Sequence, residues 1–121
     1  MKRSLQKQAL VAKSEITQAR KALVARILEG DGKASHAQRR AAFDNAGLAE
    51  PLRTLIDKVV KQAYTVTDDD IAAARASGAS EDQIFELVVC AAIGEATRQY
   101  NSALAALEAV TERSGDATRN P

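Results

Sequence analysis

The chain has 121 residues, 45% of them hydrophobic, enough for one packed domain, and the expectation is a single domain over residues 1–121. Seventeen Lys/Arg against sixteen Asp/Glu leave a formal charge of +1, which selects no class of partner, and one cysteine excludes an intramolecular disulfide, a CxxC redox pair and a cysteine-rich zinc site. With four aromatic residues and no Trp, the core must come from Ala, Leu, Val and Ile, a composition suited to closely packed helices.

The first helix is expected over residues 3–29. Leu5, Ala9, Ala12, Ile16, Ala19, Leu23 and Ile27 recur at three- and four-residue spacing and form its apolar stripe. It is also the basic part of the chain: residues 1–40 hold ten Lys/Arg and three acids, whereas residues 41–121 hold seven and thirteen. That split raises the question of nucleic acid. However, Lys2, Lys13 and Arg20 fall on one flank of the helix, Arg3, Lys7 and Lys21 on the opposite side, and Arg26 in a third direction. A nucleic-acid stripe would gather the charges on one face and add stacking aromatics, which are absent here. Nucleic-acid binding is therefore the weaker alternative, behind a solvated face or contact with an acidic neighbour.

After the break at "EGDGKAS", Ser35 and Gln38 have the spacing of a capping box and open a short helix to about Asn45. His36, in its first turn, has no second His to make a ligand set. Pro51 suits the start of a third helix, with Leu52, Leu55, Ile56, Val59, Val60 and Ala63 on its apolar side. Thr67 caps a fourth, about 68–77, which Gly78 ends. Asp68, Asp69 and Asp70 then occupy its first turn, where negative charge complements the helix dipole. Neighbouring helical residues point about 100° apart, so three consecutive Asp do not make a metal cage alone.

Ser80 and Gln83 repeat the capping box and start a long fifth helix, about 81–112, followed by a tail, 113–121, that reads as frayed. Phe85, Val88, Val89, Ala92, Ile93, Ala96, Tyr100, Ala103, Leu104 and Leu107 form its main stripe. Leu87, Ala91 and Gly94 lie off the stripe, so the first half is apolar all round and should be covered on several sides, within the domain or between subunits. Cys90, mid-helix in "LVVCAAIG", reads as a small buried hydrophobe. No strand pattern, repeat, signal-peptide core or membrane-length apolar run is present, and a cytoplasmic protein is expected.

The stretch "IAAARASGASEDQIFELVVCAAIGEATRQYNSALAAL", with the residues before it, resembles the carboxymuconolactone decarboxylase/alkyl hydroperoxidase D-like family over about residues 50–110. The resemblance implies an all-α fold of about five helices, an alkyl hydroperoxidase D-like helical bundle, assembled as a homo-oligomer. In the peroxidase branch the motif CxxCxxxH precedes the glycine matched by Gly78. Its two Cys and its His correspond to Ala63, Val66 and Asp70 here. Without the two thiols the peroxidase cycle has neither nucleophile nor resolving group.

The leading expectation is therefore a non-catalytic relative acting as an oligomeric scaffold or as a binding protein for an unspecified protein partner or small ligand. Neither cofactor nor metal is expected. The alternative is an enzyme of decarboxylase or isomerase type. It would use Tyr64, Asp70 or Glu86 as acid–base groups, at least two of them converging in a surviving pocket, with Arg98 and Tyr100 adding polar contacts.

Overall fold

In the computed structural model the backbone is described over residues 2–119 and the side chains over residues 3–113. Among these residues there are five α-helices and no strand: α1 (Lys2–Glu29), α2 (His36–Asp44), α3 (Leu52–Gln62), α4 (Asp68–Ala76) and α5 (Glu81–Arg119), with a 3-10 turn at Ala63–Thr65. None of the helices is long and apolar enough to cross a membrane.

The caps follow the side chains that the sequence supplies. The Ser35 hydroxyl accepts from Gln38 N at 3.1 Å, and Asn45 ends α2 in the left-handed conformation at φ 51°. Ser80 and Gln83 satisfy each other reciprocally, Ser80 N donating to Gln83 Oε1 at 2.8 Å and Gln83 N to Ser80 Oγ at 3.1 Å. Gly78, at φ +107°, turns the chain out of α4. The expected stop near residue 112 is absent, and the α5 backbone continues through "SGDATR" to Arg119. Extending an existing helix needs no new nucleus, and one Gly there costs only about 1 kcal/mol. Asn120 and Pro121, the end of the expected frayed tail, lie outside the described residues.

The main core joins α2 and α3 to the first half of α5 and the end of α1: Leu28, Ala42, Phe43, Ile56, Leu87, Cys90 and Ala91. A second cluster, Leu55, Ala74 and Ile84, seats α4. The helix faces chosen differ from those expected. On α5 the buried residues are Ile84, Leu87, Cys90, Ala91 and Gly94, whereas Phe85, Ala92, Ala96, Ala103 and Leu107 of the expected stripe are exposed. Gly94 explains the choice: a Cβ there would stand 2.1 Å from the Phe43 carbonyl oxygen, so only this face lets the α2 backbone approach. On α1, Val24, Ile27 and Leu28 turn inward, and Leu5, Ala9, Ala12, Ile16, Ala19 and Leu23 remain exposed.

Beyond the core, α1 and α5 continue side by side. Lys13 Nζ lies 3.2 Å from Glu108 Oε1, the Arg20 guanidinium is 3.7 Å from the Tyr100 ring centre, and the Cys90 thiol donates to Ile27 O at 3.5 Å. Partner numbers fall on one helix as they rise on the other, so the two helices run antiparallel.

Candidate functional site

Between the C-terminal part of α1 and the first half of α5 lies an open groove of about 660 Å³, lined by Leu23, Arg26, Ile27, Gly30, Asp31, Arg39, Phe85, Glu86, Val89 and Cys90. Its wall is mostly apolar, and its polar groups gather around the α1–α2 connection, residues 30–35.

Glu86 reaches this connection from α5. Its carboxylate accepts from Lys33 N at 2.8 and 3.0 Å and from Ala34 N at 2.6 Å. These backbone donors, Ala34 N first, hold the Glu86 pKa below its ordinary 4.5 against the opposing effect of desolvation, with Arg39 and Lys33 adding charge stabilisation. Glu86 is thus an anion fixed by the chain. Arg39 approaches from α2 and is buried. Its Nε donates to Ala34 O at 3.0 Å, and its Nη1 donates to Gly30 O. The guanidinium and the carboxylate flank Gly32 so closely that a Cβ there would lie 2.6 Å from Arg39 Nη2 and from Glu86 Oε1 alike. Gln83 completes the clamp, its side-chain amide donating to Lys33 O at 3.2 Å.

Cys90, 1% exposed, sits at the inner edge of the groove, and burial raises its thiol pKa, with Arg39 opposing and Glu86 reinforcing the shift. It occupies the core as the sequence suggests.

The other candidate residues lie apart from the groove. Tyr64, in the 3-10 turn, is 84% exposed. Asp70 closes the α4 capping box: its Oδ2 accepts from Thr67 N at 2.8 Å, while its own N donates to Thr67 Oγ1 at 3.3 Å. Lys58 Nζ binds both Asp70 oxygens, at 3.0 and 2.9 Å, and the carboxylate is 15% exposed. The Lys58 contact first, and the Thr67 backbone second, lower its pKa from the ordinary 3.8. Ala63 is exposed and Val66 half-buried, so the three positions matching the family motif line the α3–α4 junction and form no part of the groove. No hydrogen bond joins Tyr64, Asp70 and Glu86 to one another, so the convergence of two of them that the enzyme alternative calls for is not seen. Arg98 donates to Phe43 O at 2.6 Å and pairs with Glu95, again bracing α2 on α5. His36 is exposed. Among the described residues no three His, Cys, Asp or Glu side chains converge as a metal-ligand set.

The residue that sequence reasoning missed is Arg39. Its signal was present, since it stands three and four residues before Ala42 and Phe43 and so shares the inward face of α2. Comparison with protein-family models, curated proteins and solved structures finds no match to this chain.

Proposed function

We propose that the chain is a non-catalytic relative of the carboxymuconolactone decarboxylase/alkyl hydroperoxidase D-like family, an oligomeric scaffold that holds a partner or small ligand in the α1/α5 groove. One observation carries this reading. Of the groups that line the groove, Glu86, Arg39 and Cys90 are each hydrogen-bonded to backbone atoms between Ile27 and Ala34, while Arg26 and Asp31 are exposed to solvent. A carboxylate saturated by backbone donors and held below its ordinary pKa is a poor proton shuttle, and a buried thiol of raised pKa is a poor nucleophile. Such a site favours binding against its apolar wall. The substituted motif supports the same reading, because Asp70 neutralises Lys58 and caps a helix where the family's catalytic chemistry would stand.

The test is turnover. Purified protein supplied with a dithiol and an organic hydroperoxide, or with a carboxymuconolactone, should consume neither above the rate without protein. Consumption that survives Cys90→Ala would overturn the proposal.

A further inference from the structure

A set of residues on the two long helices falls into a common register. On α1 it comprises Leu5, Ala9, Ala12, Ile16, Ala19 and Leu23, all exposed; on α5 it comprises Phe85, half-buried Val89, Ala92, Ala96, Gln99, Ala103, Ala106 and Val110, while Leu10, Val11 and Leu107 are exposed outside it. The spacings alternate four and three throughout, which is the a/d seam of a coiled coil, with Gln99 the one polar member between its ends. The next seam positions are Arg26 and Arg113, exposed cations that bound the apolar run on both helices. Leu5 is 65% exposed and Phe85 69%, so neither residue is covered by a partner among the described residues.

The intramolecular pairing fixes where the seams point. With Ala9 and Val89 at a positions, Lys13 and Arg20 of α1 are at e, and so is Tyr100 of α5, on which Arg20 lies. Antiparallel helices that touch through the same flank turn their a/d edges to the same side. Leu23, Phe85 and Val89 accordingly line one groove. The core contacts of α5, through Leu87, Cys90 and Gly94, are on the opposite side of that helix. The molecule therefore presents two parallel apolar seams on one open face, which is half of a four-helix bundle.

We propose that a second copy of this chain covers that face, so that α1 and α5 of two protomers form an antiparallel four-helix bundle about a two-fold axis. The proposal rests on the reading of the chain as an oligomeric scaffold and supplies its partner. A C2 contact needs one self-complementary patch, and two matched antiparallel seams provide it. The size suffices: two helices about 10 Å wide over about 30 Å give roughly 600 Å² in projection, before side-chain relief is added. A standard interface buries about 800 Å² of accessible surface per partner. Charge is also compatible. Lys13 is paired with Glu108, Arg20 is stacked on Tyr100, and Lys7 and Lys21 occupy f positions facing away from the seam, so the basic helix brings no uncompensated cation into the centre. The second copy would also roof the groove at Leu23 and Phe85.

Sedimentation equilibrium of the full chain at micromolar concentration should give twice 12.9 kDa. Ile16→Glu and Ala96→Glu, both at exposed seam positions, should each return the mass to one chain with the helical circular dichroism retained. Leu10→Glu, at a position more exposed than Ile16 but off the seam, should leave two. A wild-type mass of one chain, or of more than two, overturns the proposal, as does a seam variant that stays dimeric. Should one seam variant lose its helicity, the wild-type mass and the other variant decide. A monomer without turnover ends the dimer and leaves the non-catalytic reading standing; a dimer with turnover surviving Cys90→Ala does the reverse.

Discussion

A single carboxylate and a single guanidinium do most of the work of shaping the groove. Removing Glu86 leaves the Lys33 and Ala34 amides without their acceptor, so Glu86→Ala should cost about 2 kcal/mol in urea unfolding, partial exposure tempering the loss. Arg39→Met strands the Gly30 and Ala34 carbonyls, and because both residues clamp one loop, the double variant should lose less than the two singles together. The pH dependence has a defined sign. Folding lowers the pKa of Glu86 from 4.5 and of Asp70 from 3.8, so the unfolded chain takes up protons first on acidification. Their stabilisation is full above those ordinary values and is lost as pH falls through the lower folded ones. The urea midpoint should drop below about pH 5, less steeply in Asp70→Asn. At Cys90, a disulfide reagent should label the native protein only at the rate of opening, and rapidly in urea. The role of Cys90 was legible from its apolar neighbours. That of Glu86 was not, since its partners are backbone amides more than fifty residues away, and no local pattern encodes them.

The helix ends were readable because a cap is a local bargain between a side chain and the next three amides. Thr67 and Asp70 illustrate this, and Thr67→Ala should cost about 1 kcal/mol by thermal melting. The helix faces were not readable. When both sides of α5 are apolar, periodicity cannot rank them, and the decision falls to Gly94, whose missing side chain admits the Phe43 carbonyl. Gly94→Ala should therefore destabilise by about 3 kcal/mol, at the upper end for overpacking. Gly78→Ala meets nothing within 4 Å and should lose only about 1 kcal/mol, for its left-handed backbone. Melting the two variants side by side checks the contrast, and equal losses would remove Gly94 as the arbiter of the face.

At the scale of the molecule, the all-helical class and the number of helices followed from periodicity and caps. The antiparallel meeting of α1 with α5 did not, because the two helices stand at opposite ends of the chain. The imbalance of charge between residues 1–40 and 41–121 was its faint trace, realised in the Lys13–Glu108 pair. That pairing divides the molecule into regions of unequal cohesion. Val24, Ile27 and Leu28 of α1 pack against the core, whereas residues 5–16 are exposed along every face. Backbone amides of the outer turns should thus exchange with deuterium through small openings that never involve the core, and those near Leu28 only through global unfolding. If a second copy covers the seams, slowed exchange in the outer turns should appear with rising protein concentration, while exchange at Leu28 responds far less. Ordering of the paired outer helices and association of two chains would then be one coupled equilibrium, with the proximity of another copy determining how much of the chain is held still.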